Sequence, residues 1–189
     1  VLARRDALPS FRRHALSERI TKRLLALGAY RGARCVMAYA SFGSELDTAA
    51  FLADVLAQGK KLVLPRIERG NRMLHLHAVD DPPRQLAPGV WGILQPRADL
   101  CPPVPASELE FVLVPGVAFT RRGERLGYGG GYYDGFIRSL APRPPLVAAG
   151  FELQLLPELP LTDRDERVDL VVTEAAEYPS PPSWGRGLG

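Results

Sequence analysis

Cys35-Val36-Met37-Ala38-Tyr39-Ala40, then Thr48 to Gln58 closed by Gly59, then Lys61-Leu62-Val63-Leu64-Pro65, set the architecture of this chain. The first and third pieces are short apolar runs of the kind that form strands buried on both faces. The middle piece has helical spacing, and Gly59 stands where a helix stop belongs. Strand, loop, helix, loop, strand in that order is the βαβ unit, whose crossover is right-handed.

Further elements extend this unit on either side. Residues 10–27 read as an amphipathic helix with Phe11, Ala15, Leu16, Ile20, Leu24 and Leu27 on one face, and Ser17 is a point of interruption or recapping. Met73 to Val79 alternates, as an edge or hairpin strand does. Residues 80–106 are proline-rich and carry Trp91, which points to a long ordered loop. Strands are expected at 110–116, 146–151 and 168–173, and a helix at roughly 131–140. The fold class is therefore α/β: a single-domain three-layer αβα sandwich, Rossmann-like, with a mostly parallel sheet. The domain is expected to span 1–178, and 179–189, rich in proline and glycine, to form an irregular tail.

With 189 residues, 46% of them hydrophobic, the chain can bury one sizeable core. No run approaches a membrane span. Residues 1–13 lack the apolar segment of a secretory signal, so a cytoplasmic location is expected. Cys35 and Cys101 lie too far apart for a metal knuckle or redox pair and read as structural thiols. His75 and His77 share one strand face; a zinc pair lacks a third ligand, so a half-exposed face is expected. Residues 1–34 hold nine Arg and Lys against Asp6 and Glu18. Such a helix suits either a nucleic acid or a polyanionic small molecule. The absence of interleaved aromatics favours the small molecule, with no nucleic-acid or membrane partner.

Arg125-Leu126-Gly127-Tyr128-Gly129-Gly130-Gly131-Tyr132-Tyr133-Asp134 is the segment richest in chemistry. Glycines let backbone N–H groups close around an anion, and a helix N-terminus follows. The alternative is a surface turn followed by core aromatics. Tyr132 occupies the position of the third glycine of a dinucleotide fingerprint, and the Lys-Ser/Thr ending of a Walker loop is missing. Ligands of open α/β sheets gather at the carboxyl ends of strands, which would bring Glu45, Arg125, Tyr132, Tyr133 and Asp134 to one rim. Glu45 precedes the helical pattern, whereas Asp47 suits the first turn of that helix. No Ser–His–Asp or Cys–His set is legible.

Taken in order, Tyr39…Glu45-Leu46-Asp47-Thr48, Leu64-Pro65-Arg66, Trp91-Gly92-Ile93-Leu94-Gln95-Pro96, Pro115-Gly116-Val117-Ala118-Phe119, the glycine loop, Gln154…Leu156-Pro157 and Asp165…Val168 to Glu174 resemble the 5-formyltetrahydrofolate cyclo-ligase family over nearly the whole chain. That resemblance implies a ligase using ATP and Mg²⁺ to close 5-formyltetrahydrofolate to 5,10-methenyltetrahydrofolate. A non-catalytic ATP- or folate-binding module of the same fold is the alternative. It implies Arg125 and Asp134 as catalytic residues, and Arg4 or Arg5 with Gly127, Tyr128, Gly129, Gly130, Gly131 and Tyr132 around the nucleotide. Tyr39, Glu45, Trp91, Tyr132 and Tyr133 would meet the folate, and Asp134 and Asp165 the metal. A monomer acting on small molecules is expected. The chain departs from the family pattern at Gly130, where many members carry lysine, at Gly135 (arginine) and at Arg164 (histidine).

Overall fold

The computed structural model describes residues 1–68 and 70–181. A short helix α1 (Leu2–Asp6) precedes α2 (Ser10–Ala26) and α3 (Gly28–Gly32), which lead into β1 (Cys35–Met37). Helix α4 (Ala49–Ala57) crosses to β2 (Lys61–Glu68), and β3 (Met73–Val79) returns beside it as an antiparallel hairpin. After α5 (Pro82–Gln85) come two short strands, β4 (Leu86–Pro88) and β5 (Leu94–Pro96), with a turn of 3₁₀ helix at Val90–Gly92 between them. Strand β6 (Phe111–Val114) is followed by the small hairpin β7 (Ala118–Phe119) and β8 (Arg125–Leu126), then α6 (Tyr132–Ser139), β9 (Leu146–Ala149), β10 (Leu170–Val172) and β11 (Glu177–Pro179).

The main sheet has seven strands in the order β11-β10-β9-β6-β1-β2-β3. Strands β2, β1, β6, β9 and β10 are mutually parallel, and antiparallel β3 and β11 form the two edges. Strict alternation explains the layering. Val36, Leu62, Leu64, Phe111, Leu113, Val147 and Ala149 enter one core with Ile20, Leu24, Tyr30, Phe51, Leu52 and Val55. Their neighbours Cys35, Met37, Val63, Val112, Val114, Leu146 and Ala148 enter a second core with Phe136, Ile137 and Leu140 of α6. Because both faces are covered there, β1, β6, β9 and β10 are apolar at every position rather than every second one. This is the expected three-layer α/β fold.

Several local expectations are corrected. Phe11 is 76% exposed, and Ala15 is also at the surface. The stripe of α2 that packs is Ser17, Ile20, Thr21 and Leu24. Ser17 does not interrupt the helix; its Oγ accepts the Asp47 N–H at 3.1 Å, tying α2 to the loop after β1. His75 is exposed and bonded to Glu68, but His77 is buried, with Nδ1 2.9 Å from the Cys101 carbonyl. The 101–104 segment covers that end of β3, pairing Pro103 with His77. Residues 80–106 hold a helix and a two-stranded sheet rather than loop alone. The sheet also runs past Tyr178: Pro179 pairs with Leu170, and Ser180 N–H donates to the Asp169 carbonyl at 2.9 Å. The rest of the expected tail, 182–189, lies outside the described residues. Among the described residues, no helix is long and apolar enough to cross a membrane.

Candidate active site

From β1 the chain runs outward on one side through β2 to β3, then crosses back to β6 on the other side of β1 and continues outward to β9 and β10. A crevice opens where strand order diverges in this way, beyond the carboxyl ends of β1 and β6. A cavity of about 730 Å³ occupies that position. Its walls come from Tyr39 and Glu45 after β1, Leu64 and Ile67 of β2, Trp91, Ile93 to Gln95, Pro115 and Gly116 after β6, the whole glycine loop, Tyr132 to Asp134, and Asp165.

The loop after β1 is clasped at its ends. Ser41 N–H donates to Thr48 Oγ1 at 3.1 Å, Thr48 N–H returns a bond to Ser41 Oγ at 3.2 Å, and Thr48 Oγ1 donates to the Tyr39 carbonyl at 2.8 Å. Asp47 Oδ1 accepts the Ala49 N–H at 2.9 Å, so this carboxylate serves the start of α4. Glu45 instead joins the cavity wall. Its Oε2 accepts the Phe42 N–H at 3.0 Å and its Oε1 accepts the Tyr128 hydroxyl at 3.1 Å. Burial pushes the Glu45 carboxyl above the usual carboxylate range, against the opposing effects of those two bonds and of Arg5. Burial, reinforced by the nearby Glu45 charge, likewise pushes the Tyr39 and Tyr133 hydroxyls up, so both phenols stay neutral.

The glycine loop leaves β8 and turns into α6 through Gly131, which sits at the helix N-cap with φ 70°, a conformation an L side chain rarely adopts. Gly130 is crowded for another reason: a Cβ there would lie 2.7 Å from the Tyr132 ring. Tyr132 in turn stands edge-on to Trp91, centroids 6.3 Å apart. The space beside Gly130 is thus filled by a tyrosine rather than left open.

Arg125 is 3% exposed and donates through Nη2 to Asp134 Oδ1 at 2.7 Å. Its guanidinium also lies 5.9 Å from the Tyr133 ring centroid, and its Nε is buried without a partner among the described residues. The hairpin that holds Arg125 is pinned by buried Gln154, whose Nε2 donates to the Val117 carbonyl at 2.9 Å while its Oε1 accepts the Phe151 N–H at 2.8 Å.

Of the two candidate N-terminal arginines, Arg5 belongs to this neighbourhood and Arg4 does not. Arg4 is exposed. Arg5 is buried; its Nε donates to Ser44 Oγ at 2.9 Å and its Nη2 to the Tyr128 hydroxyl at 2.8 Å, while Ser44 donates onward to Asp6. Ser44 and Asp6 escape a reading by motif, because nothing local marks them; only the placement of α1 against the 41–48 loop does.

The residues can also be tested against the metal that the family resemblance implies. Among the described residues no group of three or more His, Cys, Asp or Glu could hold a cation. Asp134 takes bonds from Arg125 and from the Glu166 N–H on Oδ1, and Asp165 takes both Thr162 bonds on Oδ2. The opposite oxygen of each carboxylate is the one open to a cation. Mg²⁺ ordinarily uses one or two carboxylates together with substrate phosphates. Asp134 and Asp165 line the same cavity as the glycine loop, and two such carboxylates fit that donor set.

A mostly parallel sheet covered on both faces, with a glycine-rich loop, two carboxylates and an aromatic wall lining one cavity at its switch point, defines an α/β protein with a candidate small-molecule site. A family model described as the 5-formyltetrahydrofolate cyclo-ligase family matches residues 1–174, and the chain belongs to that family. It is 28% identical to 5-formyltetrahydrofolate cyclo-ligase of Mus musculus over 163 residues, covering 82% of this chain and 80% of the mouse protein. It is 32% identical to the mitochondrial 5-formyltetrahydrofolate cyclo-ligase of Arabidopsis thaliana over 195 residues, covering 87% of this chain and 68% of the plant protein. The solution structure of Aquifex aeolicus 5,10-methenyltetrahydrofolate synthetase superimposes with a TM-score of 0.83 at 31% identity, covering 100% of this chain and 92% of that one.

Proposed function

We propose that this chain is the ligase that closes 5-formyltetrahydrofolate to 5,10-methenyltetrahydrofolate, consuming ATP with Mg²⁺ and releasing ADP and phosphate. One observation supports the reading above the others. A single cavity of about 730 Å³ joins a phosphate-type loop and its Arg125–Asp134 pair to an aromatic wall with a half-buried carboxylate, Glu45. Two different ligands, one polyanionic and one flat and heteroaromatic, would meet there.

The chemistry needs positioning and charge neutralisation more than a nucleophilic side chain. The formyl oxygen attacks the γ-phosphorus; the new O–P bond forms as the bond to ADP breaks. The second folate nitrogen then attacks the formyl carbon, and the C–O bond breaks with departure of phosphate. Backbone N–H groups of Gly127 to Gly131 would hold the triphosphate at the start of α6, with Arg125 behind them. Mg²⁺, when bound at Asp134 and Asp165, supplies charge neutralisation for the phosphates. Tyr39, Tyr132, Tyr133 and Trp91 would stack on and enclose the folate, and Glu45 would orient its polar edge.

The test is direct. Protein mixed with 5-formyltetrahydrofolate, ATP and Mg²⁺ should generate the methenyltetrahydrofolate absorbance, and omitting ATP or chelating the metal should stop it. No product at high enzyme and substrate concentrations would end this reading in favour of a binding module.

A further inference from the structure

Tyr128 differs from its glycine neighbours in one respect: its side chain leaves the loop altogether. The ring is 53% exposed at the cavity mouth and lies near Phe42, centroids 6.1 Å apart. Its hydroxyl joins two segments remote in sequence, accepting from Arg5 Nη2 at 2.8 Å and donating to Glu45 Oε1 at 3.1 Å. A phenol that accepts from a cation is a better donor to an anion, since each bond polarises the next. Arg5 is held in place for this by Ser44, and Ser44 by Asp6.

We propose that Tyr128 is a positioning residue for Glu45, passing the influence of buried Arg5 onto the carboxylate and so keeping it charged and aimed at the second substrate. This rests on the reading of Glu45 as a folate-facing group. The groups around that carboxylate are Arg5 from α1, Tyr39 after β1, Tyr128 from the glycine loop and Tyr133 from α6. Only Arg5 is a cation, and its Nη2 reaches Glu45 through the Tyr128 hydroxyl. Burial works against the charged form of Glu45, and the Tyr128 bond is one of three interactions that oppose it. Because Tyr128 rides on the glycine loop, the same bond fastens the nucleotide side of the cavity to the folate side.

The deciding variant is Tyr128→Phe, which keeps the ring and removes only the hydroxyl. Two measurements read it. The first is ¹³C NMR titration of the Glu45 carboxyl in protein labelled at glutamate, assigned with Glu45→Gln, and needs no substrate. In Tyr128→Phe that titration should move to higher pH. The second is kinetics with 5-formyltetrahydrofolate: the acid limb of kcat/KM should move to higher pH, and the folate KM should rise about five- to tenfold, the size of one lost hydrogen bond. In a Glu45→Gln background the same substitution should have little further effect. An unmoved Glu45 titration, or a full additive loss in the Glu45→Gln background, overturns the proposal. If the wild-type protein fails to turn over the folate, the substrate reading fails, while the titration still decides the role of Tyr128.

Discussion

Arg125 and Asp134, nine residues apart in sequence, meet at 2.7 Å between Nη2 and Oδ1 and close the neck of the glycine loop. Arg125 lies in the strand that feeds the loop, and Asp134 in the first turn of the helix that leaves it. One carboxylate oxygen thus shapes the loop, and under the proposed function the other would meet the cation. Burying the arginine makes the pair hard to break, because an uncompensated charge in the interior is costly.

Removing the carboxylate should therefore act on both stability and catalysis. Asp134→Ala is expected to cost about 2–3 kcal/mol in urea unfolding, at or below the bottom of the range for a broken buried pair because Asp134 remains partly exposed. Asp134→Asn should keep much of the fold and still lose turnover about a hundredfold, with a higher Mg²⁺ requirement. Full activity at unchanged Mg²⁺ dependence would remove Asp134 from the metal.

Glu45 predicts a pH dependence with a definite sign. Its folded carboxyl titrates above the ordinary range because it is buried. The fold therefore prefers the protonated form, and stability contributed by Glu45 is greatest below its unfolded value and declines as pH rises through the folded one. Under the proposed function activity runs oppositely, since the charged form would be the one that meets the folate. Glu45→Gln should lose the acid limb of kcat/KM together with most folate affinity, and should melt no lower than wild type at neutral pH. Retention of the acid limb would assign it elsewhere.

Gly130 is the position where family members often carry lysine, and here Tyr132 occupies the adjoining space. Gly130→Lys must displace the Tyr132 ring and with it the edge contact to Trp91. With Trp184 replaced by phenylalanine, the remaining indole fluorescence should change in Gly130→Lys and the folate KM should rise several-fold. Adding Tyr132→Ala should remove the crowding. An unchanged emission spectrum would mean that the ring is free to move aside.

The two N-terminal arginines should separate cleanly. Arg4→Ala, at an exposed position, should leave KM for both substrates within about twofold, as surface substitutions usually do. Arg5→Ala removes a buried cation bonded to both Ser44 and Tyr128 and should lower kcat/KM at least tenfold. Steady-state kinetics on the pair reads this, and equal effects would contradict the placement of α1.

Gly116 tests the pinning of the loop after β6. An alanine Cβ there would stand 2.5 Å from the Phe119 ring. Gly116→Ala should destabilise by about 1–3 kcal/mol, the usual cost of overpacking, and thermal melting measures it. A melting temperature within error of wild type would show that Phe119 can relax.

Most of the architecture was legible because it is written in local pattern. Runs such as Phe111-Val112-Leu113-Val114 are apolar at every position, as a strand covered on both faces requires, and Gly59 ends the helix just before β2. The density of glycine between Arg125 and Asp134 marked the loop that lines the cavity, and Glu45 stood out as an acid at a strand exit. Periodicity misled at Phe11, where helical spacing was right but the neighbouring α2 turn faces solvent, and at His77, which the 101–104 segment covers.

What the order of residues determined by itself was the layered sheet, the place of its crevice, and the membership of Glu45, Arg125 and Asp134 in one rim. Tertiary structure alone buried Arg5 against Ser44 and Tyr128 while leaving Arg4 exposed, sent Tyr128 to Glu45 rather than into the loop, and filled the space beside Gly130 with Tyr132. The physical reason is distance along the chain. Arg5 and Tyr128 are 123 positions apart and Tyr128 and Glu45 are 83 apart, so their contacts depend on how α1 and two loops dock on the finished sheet. Backbone propensity and hydrophobic period act over a few residues and leave such meetings undetermined.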